Sequence, residues 1–88
     1  MKLQQIRYVL VLAEEGSFNR AAKRCGVSQP SLSKAVRAFE LSLGGELFNR
    51  RRTGVSLTAF GAAILPYLVR LQLAEHQVLE MARVRNRV

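Results

Sequence analysis

The sequence predicts a mainly α-helical chain in which three short helices and a small two-stranded hairpin precede one long helix. Apolar residues recur at helical spacing in four separate segments, and glycines stand at the ends of the first three. A fifth segment breaks the helical pattern around a cluster of arginines. With 88 residues, the chain has room for one domain with a modest core.

The first two predicted helices are separated by a glycine. The first begins near Leu3 and ends at Gly16, and its apolar positions cover two faces, so we expect packing on two sides. The second begins at Ser17, because a serine hydroxyl can accept the free N–H groups of a first turn. Gly26 ends it, because glycine readily adopts the left-handed backbone of a helix end.

The third predicted helix begins at Ser28 and ends at Gly44-Gly45, with Pro30 in the first turn, where a missing N–H costs nothing. Only a tight turn separates it from the second helix, so the two form a helix-turn-helix. We expect the apolar residues of this pair in the core: Phe18, Ala21, Ala22, Leu32, Val36 and Phe39. Cys25 ends an apolar stripe and is expected to be a buried structural thiol.

Two short strands are predicted at 47–49 and 55–57, around a basic turn made of Arg50, Arg51, Arg52, Thr53 and Gly54. The hairpin would follow the helix-turn-helix and end the first part of the chain, residues 1–58.

The fourth helix is predicted from Thr58 to about Arg83, within a linker segment 59–88, and Pro66 should bend it or leave one carbonyl unpaired. Its apolar seam has heptad spacing and extends beyond the reach of a small core, so a second copy of the chain is the expected partner. The seam comprises Ile64, Tyr67, Leu68, Leu71, Ala74, Val78 and Met81.

The net charge of +8 predicts a polyanionic partner, with nucleic acid favoured over an anionic membrane. Residues 17–58 carry eight Lys and Arg against two Glu, so most of the excess lies there. In the fourth helix, the basic residues cluster at the C-terminal end and not along a polar face, which disfavours a membrane surface. The longest apolar run is six residues, whereas a span needs roughly 20.

The chain has too few of the side chains that usually perform catalysis, which argues against an enzyme. With one His, one Cys and no Asp, the chain excludes a Ser-His-Asp triad, an Asp dyad and a four-ligand zinc site within one chain. We therefore expect no catalytic residue, metal or cofactor, and an exposed or interface position for His76. A single Cys and the lack of a secretory signal favour a cytoplasmic protein.

The third helix also predicts a recognition surface. If Leu32, Val36 and Phe39 face the core, the opposite face is polar and basic without a single acid. It carries Gln29, Ser33, Lys34 and Arg37, with Ser31 in the first turn. Gln pairs well with adenine, Lys and Arg pair with guanine, and both Ser hydroxyls and a helix N-terminus hold phosphates. This pattern favours double-stranded DNA as the partner.

Several motifs resemble one family over nearly the whole chain. The longest are Val27-Ser28-Gln29-Pro30-Ser31-Leu32-Ser33 and Val55-Ser56-Leu57-Thr58-Ala59-Phe60-Gly61. Ser17-Phe18, Ala21-Ala22 and Leu47-Phe48-Asn49-Arg50 accompany them. Together they resemble the N-terminal domain of LysR-type transcriptional regulators.

The resemblance implies a winged helix-turn-helix with a recognition helix in the major groove, a wing at the minor groove and a dimerising linker helix. It also implies possible tetramers of the full-length regulator in the bacterial nucleoid. An effector-sensing domain, through which a small molecule would act, is expected to be absent from this chain. The implied recognition-helix residues are Ser28, Gln29, Pro30, Ser31, Ser33, Lys34 and Arg37. The implied wing residues are Arg50, Arg51, Arg52 and Thr53.

Two positions depart from the family pattern. Many relatives have Arg where this chain has Lys34, which lacks the two-donor fork suited to guanine. The wing commonly carries Arg where this chain has Thr53, so which neighbouring arginine reaches the minor groove stays open. An alternative function is a winged-helix protein-interaction module, whose corresponding face would carry acids or apolar residues.

Overall fold

The computed structural model describes residues 1–87, and within them the predicted order of elements is confirmed. The elements are α1 Leu3–Glu15, α2 Phe18–Cys25, α3 Gln29–Leu43, β1 Phe48–Arg51, β2 Gly54–Leu57 and α4 Ala59–Arg85. The two strands form one antiparallel hairpin. Val88, the last residue of the predicted linker segment, lies outside the described residues.

Side-chain caps define where three of the helices begin. The hydroxyl oxygens of Ser17, Ser28 and Thr58 each accept the backbone N–H three residues further on, at 3.2, 3.2 and 2.9 Å. Between α2 and α3, Gly26 adopts a φ of 71°, which favours glycine. The predicted starts of α2, α3 and α4 are therefore confirmed, and so is the tight turn of the helix-turn-helix.

The core lies where α1, α2, α3 and the base of the hairpin meet. The largest side chains that are almost completely buried are Phe39, Phe48, Ile6, Leu12, Leu32, Leu47, Val9 and Val36. Ala21, Ala22 and Cys25 are buried among them, as predicted. Phe18 differs from the prediction because it is only half-buried, at the edge of the core.

The hairpin differs from the prediction in the lengths of its strands. Arg51 pairs with Gly54, so the turn contains only Arg52 and Thr53, and the expected five-residue basic tip is wrong. Arg50 and Arg51 belong to β1, where the pleat directs neighbouring side chains to opposite sides. The sequence did not predict the full length of β1 because Asn49, Arg50 and Arg51 are polar. Their backbones pair with β2 all the same, since strand pairing does not require apolar side chains.

Backbone contacts fasten the hairpin to the helices on both sides. The N–H of Val55 donates to the carbonyl of Gly16 at 3.0 Å, which ties β2 to the α1–α2 turn. The N–H of Thr58 donates to the carbonyl of Leu47 at 2.9 Å, and the Thr58 hydroxyl donates to the carbonyl of Glu46 at 2.6 Å. The wing is therefore held close to the body of the domain along its base.

The long helix α4 continues through Pro66, and the carbonyl of Ala62 lacks an N–H four residues on because proline has none. Its first turns pack on the winged part, where Gly61 is buried. A Cβ atom at Gly61 would overlap the carbonyl of Leu47, so the approach of α4 requires glycine. Among residues 1–87, the structure contains no helix that is both long and apolar enough to cross a membrane.

Candidate nucleic-acid interface

The outer face of α3 carries the predicted recognition residues on one continuous surface. Five of them are exposed and two are half-buried. The exposed set is Ser28, Pro30, Ser31, Lys34 and Arg37, and the half-buried set is Gln29 and Ser33. No acid occurs from Ser28 to Arg37, and the next one, Glu40, is turned into the protein. This face therefore offers hydrogen-bond donors and positive charge without a competing carboxylate.

The N-terminus of α3 is organised by two serines. The hydroxyl of Ser28 accepts the backbone N–H of Ser31 and donates to the Ser31 hydroxyl oxygen at 2.8 Å. The Ser31 hydroxyl is exposed, so it can also donate to an acceptor outside the chain. Pro30 has no N–H, and the N–H groups of Ser31 and Leu32 both bond to Ser28, so the helix dipole and the exposed Ser31 hydroxyl are what suit this end to a phosphate.

The wing residues divide into an outward group and one that faces inward. Arg51, Arg52 and Thr53 are exposed. The side chain of Arg50 is only 29% exposed, and its Nη2 donates to Oε1 of Glu40 at 2.7 Å. Its guanidinium carbon lies 5.2 Å from the centroid of the Phe18 ring, which adds a cation–π contact. The positive charge of Arg50 is thus paired with Glu40 although part of the residue stays exposed.

Glu40 is the buried carboxylate that receives Arg50. Its other oxygen, Oε2, accepts the N–H groups of Leu47 and Phe48 at 2.7 and 3.3 Å, at the base of the hairpin. A buried carboxylate is costly without such partners. This pair is not visible in the sequence, because its members are ten positions apart and lie on two different elements, α3 and β1. The available signal was an acid four residues after Val36, beside the apolar stripe of α3.

The two arginines of α2 differ from the exposed cations of α3 and the wing because both bond to acids of α1. Arg24 hydrogen-bonds to both Glu14 and Glu15, and the bond to Glu14 raises the pKa of Arg24 above its ordinary value. Arg20 donates to the backbone carbonyl of Glu15 at 2.6 Å. Within residues 1–87, four cations of α3 and the wing have no ion pair. They are Lys34, Arg37, Arg51 and Arg52.

The apolar seam of α4 is covered only at its N-terminal end. Leu68 is 3% exposed and belongs to the core of its own chain, and Ile64 is half-buried against that core. We therefore reassign Leu68 from the predicted dimer seam to the core, since heptad spacing does not show which neighbour covers a position. The rest of the seam is exposed: Tyr67, Leu71, Ala74, Val78 and Met81.

The sequence that forms this surface matches a known family. The sequence profile described as "Bacterial regulatory helix-turn-helix protein, lysR family" matches residues 3–62. The chain belongs to the LysR family. This finding confirms the resemblance inferred from the motifs around Gln29-Pro30 and Leu57-Thr58.

Curated relatives of this LysR-family chain are transcriptional regulators. The regulator ClcR of Pseudomonas putida is 41% identical over 87 residues, which are 99% of this chain and 28% of ClcR. The SDS degradation transcriptional activation protein of a Pseudomonas strain is 45% identical over 69 residues, which are 78% of this chain and 22% of that protein. The chain thus spans about a quarter of the length of these relatives.

Solved structures of the same family have the same fold. The CbnR DNA-binding domain, solved in a DNA complex, is 34% identical with a TM-score of 0.91, and the match covers 98% of this chain and 99% of that one. Full-length CbnR with its target DNA is 35% identical with a TM-score of 0.88, and the match covers 94% and 29% of the two chains. The predicted winged helix-turn-helix architecture is therefore confirmed.

Proposed function

We propose that this chain is the sequence-specific, double-stranded DNA-binding part of a LysR-family transcriptional regulator. The observation that carries the proposal is the acid-free basic face of α3, which continues into the exposed arginines of β1 and the wing tip. The CbnR DNA-binding domain shares this fold and was solved in a complex with DNA, which also supports DNA as the partner of this chain. In the proposed complex, α3 lies in the major groove and the wing reaches the adjacent minor groove.

The roles within this surface follow from chemistry and exposure. Gln29 and Lys34 read base edges, with Pro30 packed against the same bases. Ser28, Ser31, Ser33 and Arg37 bind the backbone and fix the orientation of α3. At the wing, Arg52 and Thr53 form the turn and stand nearest the minor groove, whose negative potential attracts arginine. Arg51 lies beside them, whereas Arg50 acts from inside the domain through Glu40.

We further infer that residues 1–58 form the winged domain and that residues 59–88 form a linker helix that joins two copies. Support comes from the exposed part of the α4 seam, which has heptad spacing and is uncovered within residues 1–87. A homodimer would present two recognition helices to two half-sites of one operator. In the full-length regulator, two such dimers would assemble into a tetramer.

The proposal contains no catalytic step, metal or cofactor, because DNA binding by this surface requires only hydrogen bonds and charge. Since the DNA of a bacterium lies in its nucleoid, we place the regulator in the cytoplasm.

The decisive experiment is Gln29→Ala. A preferred duplex is first selected with this protein from a random pool, and affinities for that duplex and for random DNA are then compared. The variant should lose about 1–3 kcal/mol of discrimination at one base position in each half-site, with random-DNA affinity unchanged. Gln77→Ala, which removes an exposed Gln from α4, is the matched control and should leave the ratio unchanged. An unaltered ratio for Gln29→Ala would remove Gln29 from base recognition.

A further inference from the structure

Glu40 lies near the C-terminal end of α3 and is the only buried acid among residues 1–87. Both of its carboxylate oxygens are engaged by the hairpin. Oε2 accepts the N–H groups of Leu47 and Phe48 where the hairpin begins. Oε1 accepts a hydrogen bond from Arg50, two residues further along β1. One side chain of α3 therefore holds β1 at two successive points.

The contact at Arg50 is the one that lies nearest the tip of the wing. Only Arg51 separates Arg50 from the turn at residues 52–53. The guanidinium of Arg50 contacts α3 through Glu40 and α2 through the ring of Phe18, which is the first residue of that helix. The wing is therefore joined, close to its tip, to both helices of the helix-turn-helix by one ion pair and one cation–π contact.

The second strand of the wing is fastened at the same level by its backbone. Val55 pairs with Arg50 in the hairpin, and the N–H of Val55 donates to the carbonyl of Gly16. This bond requires no particular side chain at position 55, whereas the hold on β1 depends on the carboxylate of Glu40. Without that carboxylate, β2 alone would hold the wing beyond its base, so the tip would tilt relative to α3.

We propose that Glu40 is a positioning residue that sets the tip of the wing relative to α3 and thereby brings the exposed turn residues into the minor groove. This inference rests on the proposed function, in which α3 lies in the major groove and the wing tip reaches the adjacent minor groove. Glu40 is buried and does not itself touch DNA. Removing its charge should weaken contacts in the minor groove only, because α3 is held against the core by its own apolar stripe.

Two scans of a duplex selected by the wild-type protein from a random pool separate the two grooves. In the minor-groove scan, single adenines are replaced by 2,6-diaminopurine and single guanines by inosine, which adds or removes the amino group in that groove. In the major-groove scan, 7-deazapurines remove the acceptor nitrogen that purines present there. Each scan measures the ratio of the affinities for the modified and the unmodified duplex.

The proposal predicts that the two scans respond differently to Glu40→Gln, which keeps the size of the side chain. At base pairs under the wing, the wild-type affinity should change at least about fivefold in the minor-groove scan, comparable to the effect of a mismatched base pair. In Glu40→Gln this change should fall below about twofold, while the major-groove scan keeps the wild-type pattern. Glu80→Gln also neutralises an acid that is paired with an arginine at 2.7 Å, and as the matched control it should keep both patterns.

Loss of the wing position is distinguishable from loss of the fold. A smaller folded fraction lowers the affinity for every duplex by the same factor, so it does not alter the ratios that the scans measure. Arg50→Met provides a second variant, because it breaks the ion pair and leaves Oε2 of Glu40 bonded at the hairpin base. It should lose the minor-groove response as Glu40→Gln does.

Three results would overturn Glu40 as a positioning residue. Either variant responds as the wild type in the minor-groove scan, or the responses of the variants fall equally in both scans, or the wild type itself gives no minor-groove response. All three leave sequence-specific DNA binding intact, because the wild type has selected its duplex. Failure of the wild type to select any duplex would instead overturn the proposed function.

Discussion

The winged part and α4 differ in where their apolar side chains find contacts. In the winged part, the large apolar residues of α1, α3 and the hairpin base cover one another, and Phe39 and Leu32 are fully buried. In α4, the apolar residues after Leu68 remain uncovered within residues 1–87, with Val78 67% and Met81 70% exposed. A helix in a protein owes most of its stability to the packing of its apolar face against other elements. The winged part thus has its core within one chain, and the distal half of α4 requires another surface.

The largest expected effect of a mutation in the winged part comes from its central aromatic residue. Phe39→Ala removes a fully buried ring, and we expect a loss of about 3–5 kcal/mol in the free energy of unfolding. Urea denaturation followed by circular dichroism measures it. The corresponding truncation in distal α4, Val78→Ala, should change the unfolding of the winged part by less than about 0.5 kcal/mol. Equal losses from the two variants would mean that the two regions share one core.

A smaller effect is expected at the joint between the two regions. Gly61→Ala places a methyl group against the carbonyl of Leu47, so the first turn of α4 must shift. We expect a loss of about 1–3 kcal/mol, typical of overpacking at a buried site. The exposed neighbour provides a control, because Ala62→Ser should cost less than about 0.5 kcal/mol. If Gly61→Ala is as stable as the wild type, α4 does not depend on this close approach.

The smallest effect, on self-association alone, tests what covers distal α4. Leu71→Glu puts a charge into the exposed seam and should weaken the dimer at least about tenfold, as measured by sedimentation equilibrium, while the winged part stays folded. Leu73→Glu is the matched control, since Leu73 is also exposed but lies about 200° further round the helix. If Leu73→Glu dissociates the protein and Leu71→Glu does not, the interface lies on the other side of α4.

The sequence predicted the helices well because each helix end depends on the type of a single residue. Ser17, Ser28 and Thr58 each cap the helix that follows, and these caps do not depend on the rest of the fold. The wing was harder to predict, because Arg50 and Arg51 form strand hydrogen bonds with their backbones while their side chains suggest a loop.

The candidate site was only partly predictable for a similar reason. The helical spacing of the apolar residues in α3 was enough to predict which residues from Gln29 to Arg37 lie on its outer face. A buried apolar stripe leaves the opposite face of the helix exposed. Nothing local distinguishes Arg50 from Arg51, yet one is engaged by buried Glu40 and the other is exposed. Likewise, the heptad spacing of α4 does not reveal that Leu68 packs on its own domain.

The contacts of Thr58, Leu47 and Gly61 leave no hinge between the wing and α4. Thr58 is the single residue between β2 and α4, and it bonds to the hairpin base on one side and caps α4 on the other. With 27 residues, α4 is an arm about 40 Å long, and its first turn is fixed to the base of the hairpin. If two copies join through α4 as proposed, any force that changes the crossing angle of the two arms would therefore alter the distance between the two recognition helices.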